Sequence, residues 1–170
     1  MSKGLILVYT GNGKGKTTAS LGLAFRAAGH GKKIAMIQFM KGQQRTGELN
    51  SSKKFDNFNI YQAGRENFVM DDSDPMDREL AQKGFQKALD LINEVDILIL
   101  DEINVAMEYG LVDIKDIKDL IINKPKEVDL VLTGRNFPEE LSDLVDMISE
   151  VKEVKHHFNK GVLAKEGIEY

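Results

Sequence analysis

A glycine-rich loop near the start of the chain is the feature that most restricts its fold. It reads TGNGKGKTTAS over residues 10–20, directly after the apolar run LILVY at residues 5–9. A short continuous run of strand-forming apolar residues is typical of a strand covered on both faces of a parallel sheet. Residues 16–28 are rich in helix formers and are followed by glycines, which favour a helix end. The segment therefore predicts a strand, a tight loop and a helix in that order.

The rest of the chain repeats this alternation. Strand patterns occupy residues 34–39, 95–100 and 128–132, with a shorter one at 58–61. Apolar residues at helical spacing predict helices over residues 77–93 and 114–121, and a further helix that contains Leu141, Leu144, Val145 and Ile148. Strands that alternate with helices predict an α/β fold: a mainly parallel, twisted sheet with helices on both faces. At 170 residues, we expect a single domain over residues 1–170.

The loop has the composition of a phosphate-binding loop, which predicts a P-loop NTPase fold of the RecA-like class. Between a strand and a helix, such a loop turns backbone N–H groups inward, and the helix N-terminus adds partial positive charge. Lys16 can reach the outer phosphates, and the Thr17 hydroxyl can bind Mg²⁺. Thr10 stands where the strict pattern has glycine. The alternative is a glycine turn that only ends a strand and begins a helix. The candidate nucleotide-binding residues are Gly11, Asn12, Gly13, Lys14, Gly15, Lys16, Thr17 and Thr18.

Acidic residues at the end of a later strand supply a candidate metal site. The stretch VDILILDE ends in Asp101 and Glu102, and ligands bind at the carboxyl ends of the strands in open parallel sheets. We therefore predict that Thr17, Asp101 and Glu102 hold Mg²⁺, against the alternative that the two carboxylates begin a solvated loop. Arg135 follows another strand at the same predicted edge, where it could bind phosphate or lie on the surface.

Composition excludes several classes of chemistry. The chain has no cysteine, so thiolate metal sites, disulfides and cysteine nucleophiles are absent. Its net charge is −4, without a long basic run, which disfavours a nucleic-acid partner. No segment has the length and apolarity of a signal peptide or a membrane span, so we expect a cytoplasmic protein with no membrane partner.

The motifs alone predict a site for Mg²⁺ and ATP and leave the reaction open. Kinases, ATPases, GTPases and group transferases share these parts, and the guanine-reading segment Asn/Thr-Lys-x-Asp is absent. One alternative is a RecA-like ATPase that hydrolyses ATP, in which Glu102 would orient the attacking water. Another is a nucleotide sensor that binds ATP without turnover.

Six segments in order extend the comparison to nearly the whole chain. They are TGNGKGKTTAS, QFMKG at residues 38–42, Gly47-Glu48, LDEIN at 100–104, LTGR at 132–135 and the tail KHHFNKGVLAKEGIEY at 155–170. Together they resemble the ATP:corrinoid adenosyltransferases of cobalamin synthesis and salvage. The resemblance implies transfer of the 5′-deoxyadenosyl group of ATP to the Co(I) centre of a corrinoid, with release of triphosphate.

The resemblance also implies roles for the residues already singled out. Residues 11–18 would hold ATP in a reversed orientation, so that the triphosphate is the leaving group. Lys16 would offset its charge, Thr17 with Glu102 or Asp101 would bind Mg²⁺, and Arg135 would contact ATP. Because the nucleophile belongs to the corrinoid, no protein side chain is needed for that role, and no histidine is assigned to cobalt.

The same resemblance predicts a corrinoid-facing segment and partners. In the family, a Phe and a Trp separated by one residue cover the cobalt; here Phe68 is retained and Met70 stands in place of the Trp. The alternative is that both belong to a core strand. An electron-donating flavoprotein and a homodimer follow from the resemblance. Only Met1 to Lys3 precede the first strand, so a cover over the corrinoid is expected from residues 42–76 rather than from an N-terminal arm.

Overall fold

Six parallel strands form one sheet in the computed structural model, which describes residues 3–42, 46–66 and 75–170. Their order across the sheet is β3-β2-β4-β5-β1-β6, and every neighbouring pair is parallel. The strands are β1 (Ile6–Thr10), β2 (Ile34–Phe39), β3 (Phe58–Ala63), β4 (Ile97–Asp101), β5 (Asp129–Thr133) and β6 (Met147–Glu150). Because all six run the same way, their carboxyl ends lie along one edge of the sheet.

Helices connect the strands and cover both faces of the sheet. They are α1 (Lys16–Ala28), α2 (Gly47–Ser52), α3 (Pro75–Leu91), α4 (Ile103–Glu108) and α5 (Ile114–Asn123), with 3₁₀ turns at Glu139–Leu144 and His157–Lys160. The predicted α/β fold, with a parallel sheet and helices on both faces, is confirmed. No helix in the described ranges combines the length and apolarity needed to cross a membrane.

Alternating side chains of the strands build two separate apolar layers. In β4, Ile97 and Ile99 belong to the layer under α1, while Leu98 and Leu100 belong to the larger layer on the opposite face. β2 and β5 divide their residues between the two layers in the same way. A strand buried on both faces must be apolar throughout, which is why continuous apolar runs located these strands from the sequence.

The predicted helix through Leu141, Leu144, Val145 and Ile148 is wrong. Only its first half is helical, as the 3₁₀ turn Glu139–Leu144, and the chain then extends as β6. The backbone N–H of Asp146 donates to the carbonyl of Ile6 (2.9 Å), and the Asp146 carboxylate accepts from the Ile6 N–H (2.8 Å). These long-range bonds to β1 override the local helical spacing, because β1 would otherwise be an unpaired edge strand.

Two short helices, α2 and α4, were not predicted, and β3 extends two residues beyond the predicted 58–61. The α2 sequence GELNSS is polar and six residues long, so it shows no apolar period. The α4 helix, one residue after β4, is only six residues long and almost fully buried, so it shows no amphipathic period.

Glycine at position 84 allows α3 to approach the sheet. A Cβ atom there would lie 2.3 Å from the Ala63 Cβ and 3.4 Å from a methyl group of Ile37. Gly22 of α1, in contrast, has no atom within 4 Å of an added Cβ. The same substitution at the two helical positions therefore separates packing from helix propensity.

We expect Gly84→Ala to lower the free energy of unfolding by about 1–3 kcal/mol, because the added methyl must displace β3 or α3. Gly22→Ala is the matched control and should raise it by about 0.5–1 kcal/mol through helix propensity alone. Urea titrations followed by circular dichroism measure both. Equal effects of the two substitutions would contradict the close approach of α3.

Candidate active site

The glycine loop is shaped by contact with the end of β6. A Cβ at Gly11 would lie 2.5 Å from the Val151 carbonyl oxygen, and one at Gly13 would lie 2.8 Å from the same oxygen. The Gly13 N–H donates to that carbonyl (2.8 Å), and the Val151 N–H donates to Thr10 (2.8 Å). Glycine is therefore required at both positions, because a side chain at either would collide with the Val151 carbonyl.

The loop delivers an uncapped helix N-terminus to the sheet edge. Gly15 precedes α1 with φ 123°, a conformation that favours glycine. No side chain caps this helix end within the described ranges, and its first turn contains no acidic residue. The N–H groups of the first turn and the positive end of the helix dipole are thus available to an anion.

Lys16 lies inside the loop rather than in solvent. Its ammonium donates to the carbonyls of Gly11 (2.7 Å) and Gly13 (2.8 Å), and the residue is 7 % exposed. Burial lowers the pKa of Lys16; Glu102 and Asp101 oppose this effect, while Arg135 adds to it. The lysine is a buried cation held by neutral carbonyls, which an anionic ligand can replace.

Asp101 is the hub of the polar contacts. It is 0 % exposed at the end of β4. One carboxylate oxygen accepts from the hydroxyls of Thr17 (2.9 Å) and Thr133 (2.7 Å), and the other accepts from the Lys41 ammonium (2.7 Å). Asp101 of β4 is therefore contacted by Thr17 of α1, by Thr133 of β5 and by Lys41, which follows β2.

Glu102 follows in a left-handed backbone conformation, with φ 61°. Its N–H donates to the Thr133 hydroxyl (3.0 Å), so Thr133 links the backbone of Glu102 to the carboxylate of Asp101. Burial raises the pKa of Glu102 and the nearby Asp101 carboxylate raises it further, while Lys41, Lys16 and Arg135 oppose this. The site therefore holds two carboxylates in poor solvation, an arrangement that favours a bound cation.

A cavity of about 490 Å³ opens in front of these groups. Its floor consists of residues 14–18 of the loop and α1, with Lys41 and Glu102 beside them. α2 forms one wall through Gly47, Glu48 and Ser51, and residues 167–170 form another. This cavity, at the carboxyl edge of the sheet, is where a nucleotide is expected in such a fold.

A chain of amides fixes the α2 wall. Gln38, fully buried in β2, donates from its amide to the Glu48 carboxylate (3.0 Å) and accepts from the Gln62 amide (3.1 Å). The Glu48 carboxylate, which lines the cavity, is therefore held against the ends of β2 and β3. The segments QFMKG and Gly47-Glu48, quoted for the family resemblance, meet at this contact.

The C-terminal tail is held against the glycine loop by an ion pair between Glu169 and Lys14. One Glu169 carboxylate oxygen lies 3.2 Å from the Lys14 ammonium and 3.4 Å from the His157 imidazole. The N–H of Lys165 donates to the other oxygen (2.7 Å). These contacts place the last residues at the cavity mouth.

The structure brings most of the predicted site residues to one place. Lys16, Thr17 and Glu102 line the cavity floor with Lys14, Gly15 and Thr18, and Asp101 lies buried behind it in contact with Thr17. Gly11 and Gly13 support the loop from behind, and Asn12 is exposed. Arg135 is exposed at the end of β5 and acts on Lys16 and Glu102 through its charge. Phe68 and Met70 lie outside the described residues.

The donor set fits a hard divalent cation. Mg²⁺ prefers oxygen ligands and retains several waters. The Thr17 hydroxyl and the Asp101 carboxylate are already in contact (2.9 Å), beside the carboxylate of Glu102 and the open cavity. Within the described ranges, no three His, Asp or Glu side chains form a complete metal cage, so the remaining ligands would come from phosphate oxygens and water.

Sequence reasoning assigned no role to Lys41 or Thr133, which both contact Asp101. The rule that located Asp101, that residues after parallel strands meet at one edge, applies equally to both. Lys41 follows β2 and Thr133 ends β5, and these are the two neighbours of β4 in the sheet. The contacts of Lys41 and Thr133 with Asp101 could not be predicted, because they depend on the strand order, which cannot be read from the sequence.

Comparison with known proteins identifies the family of the chain. The family model described as "ATP:corrinoid adenosyltransferase BtuR/CobO/CobP" matches residues 2–170. A corrinoid adenosyltransferase of Sinorhizobium sp is 39 % identical over 174 residues, which cover 99 % of this chain and 81 % of that protein. The corrinoid adenosyltransferase of Escherichia coli strain K12 is 34 % identical, and that of Salmonella typhimurium, named CobA, is 35 % identical; each match covers 99 % of this chain and 86 % of the relative. The chain therefore belongs to the ATP:corrinoid adenosyltransferase family.

Proposed function

We propose that this protein transfers the 5′-deoxyadenosyl group of ATP to the Co(I) centre of a corrinoid and releases triphosphate. In this reaction the cobalt donates an electron pair to C5′, the C5′–O bond breaks, and its electron pair leaves with the triphosphate. The observation that most supports the proposal is the cavity lined by an uncapped helix N-terminus, a buried lysine and Glu102, with the buried Asp101 behind it, in a chain matched by the family over residues 2–170.

The protein residues act on the leaving group. Triphosphate gains negative charge as the C5′–O bond breaks, so donors directed at it stabilise the transition state. The N–H groups at the start of α1 face the cavity floor, and Lys16 exchanges its two carbonyl acceptors for phosphate oxygens. Arg135, at the same sheet edge, adds positive charge. Gly11 to Thr18 are thus the triphosphate-binding residues of the proposal.

Mg²⁺, when bound, neutralises part of the triphosphate charge. Thr17 and Asp101, with Glu102 beside them, are the residues that would hold it. The Thr133 hydroxyl donates to the Asp101 carboxylate and accepts from the Glu102 N–H, so it fixes the position of Asp101 relative to the Glu102 backbone. Lys16, Thr17 and Glu102 are therefore the residues to which we assign catalysis.

The corrinoid side of the reaction rests on the family resemblance. Phe68 and Met70 would cover the cobalt face and exclude an axial ligand, which makes reduction to Co(I) easier; a flavoprotein would supply the electron. A homodimer, a cytoplasmic location and a single domain over residues 1–170 complete the proposal. Met70 is apolar and adaptable enough to fill the position of the family's Trp.

The alternative of a RecA-like ATPase has no support from the comparisons, since the named relatives cited above are corrinoid adenosyltransferases. The site itself does not discriminate between the two, because Glu102 could orient a water as well as serve a metal. The products do discriminate between them.

Incubation of the pure protein with MgATP and Co(I)-cobalamin under anaerobic conditions tests the reaction. We expect a light-sensitive adenosyl-cobalt spectrum together with triphosphate in equal amount, measured by ion chromatography. Release of orthophosphate with an unchanged corrinoid spectrum would instead establish the ATPase.

Lys16→Ala should lower the rate of adenosyl transfer by about a hundredfold or more, because a charged donor to the leaving group is lost. The fold should persist, as judged by circular dichroism. Lys118→Ala, at an exposed position of α5 outside the cavity lining, is the control and should transfer at close to the wild-type rate. Unchanged transfer by Lys16→Ala would remove this lysine from the mechanism.

Phe68→Ala should slow turnover strongly when the protein is supplied with Co(II)-cobalamin and a reductant, because the cobalt would keep its axial ligand. With chemically preformed Co(I), the same variant should be close to the wild-type rate. Parallel assays with the two corrinoid states make the comparison, and equal losses in both would argue against a role in cobalt reduction.

A further inference from the structure

Lys41 occupies the place where a cation would bind at the candidate metal site. Its ammonium lies 2.7 Å from one oxygen of Asp101 and 3.5 Å from the Thr17 hydroxyl oxygen. The Thr17 hydroxyl in turn contacts the other Asp101 oxygen at 2.9 Å. Lys41 therefore contacts two of the three side chains that we propose hold the metal, Thr17 and Asp101.

Burial explains why this carboxylate requires a cation at all times. Asp101 is fully buried, and a buried carboxylate without a positive partner is strongly unfavourable. Lys16, the other lysine at the cavity floor, is bound to the carbonyls of Gly11 and Gly13 instead. Lys41 thus provides the charge partner of Asp101 in the structure.

The ammonium and a divalent cation cannot share this position. Mg²⁺ binds oxygen at about 2.1 Å, so a cation on the Thr17 hydroxyl would lie within a few ångströms of the Lys41 nitrogen. The Coulomb repulsion between them would be poorly screened at a site this buried. One cation must therefore leave when the other binds.

The side chain of Lys41 faces the cavity, whereas its backbone is fixed by close contacts. The side chain is 30 % exposed and lines the cavity. On either side of it, Met40 has a left-handed φ of 57°, and a Cβ at Gly42 would lie 2.3 Å from the Gly64 carbonyl oxygen. The anchored stem allows the ammonium to swing into the cavity, where a triphosphate provides negative charge.

We propose that Lys41 is a positioning residue that holds the Asp101 carboxylate and the Thr17 hydroxyl in the metal-free protein, and that its ammonium moves to the triphosphate when a divalent cation takes its place. This inference rests on the proposed function, specifically on a metal site at Thr17 and Asp101. Lys41 then joins Lys16 in binding the leaving group.

Titration of the nucleotide-free protein with Mn²⁺, followed by electron paramagnetic resonance, tests whether the Lys41 ammonium competes with a divalent cation. Lys41→Met should bind Mn²⁺ at least about tenfold more tightly than the wild type, because the competing charge is gone. Lys41→Arg keeps the charge and should bind as the wild type does. Lys53→Met, at the exposed end of α2, is the surface control. Unchanged or weaker Mn²⁺ binding by Lys41→Met would overturn the proposal.

Binding of inorganic tripolyphosphate with excess Mg²⁺, measured by calorimetry, tests whether the Lys41 ammonium moves to the triphosphate. Lys41→Met should lose about tenfold in affinity through one lost charged contact, and Lys41→Arg should recover most of it. Affinity equal to the wild type in Lys41→Met would overturn the movement to triphosphate. Should Lys41→Met fail to fold, Lys41→Gln removes the charge but keeps a donor, and the same two outcomes apply.

Thr17→Val separates this inference from the proposed function. If it weakens Mn²⁺ binding while Lys41→Met does not strengthen it, the metal site stands and only the role of Lys41 is overturned. If Thr17→Val leaves Mn²⁺ binding unchanged, the metal site is wrong and the role of Lys41 is overturned with it. Neither readout involves the corrinoid, so the adenosyl-transfer assay remains an independent measure of the reaction.

Discussion

The buried carboxylate of Asp101 is the constraint on which the rest of the site depends. It is 0 % exposed, and a carboxylate in that position is tolerated only with hydrogen bonds and positive charge around it. Thr17 and Thr133 supply the hydrogen bonds and Lys41 supplies the charge. Each comes from a different part of the chain, so satisfying this one group brings α1, the end of β5 and the segment after β2 to the same point.

The sheet order explains why these parts can meet. β5 lies between β1 and β4, and β2 lies on the other side of β4. Parallel strands are about 4.8 Å apart, so side chains that follow β2, β4 and β5 are within contact distance of one another at the carboxyl edge. The loop after β1 is one strand further away, and it spans the gap through the first turn of α1. The polar side chains of the site thus meet at this edge because the strands are parallel and β4 lies between β2 and β5.

Much of this arrangement could be predicted from the sequence, and the failures have a common cause. Continuous apolar runs located β1, β2, β4 and β5 because each is buried on both faces, and the glycine loop with Lys16 and Thr17 followed from local spacing. β6 was predicted as part of a helix because its pairing with β1 is long-range and its own side chains are mostly exposed. Lys41 and Thr133 received no role because their contacts depend on which strands are neighbours.

Contact between the glycine loop and the end of β6 determines when the loop can adopt its final structure. Gly11 and Gly13 lie against residues 150–152, and the loop exchanges backbone hydrogen bonds with Val151. During synthesis the glycine loop therefore lacks its supporting surface until residues 150–152 have been added. The loop geometry that presents Lys16 and Thr17 is complete only when residues 150–152 are in place.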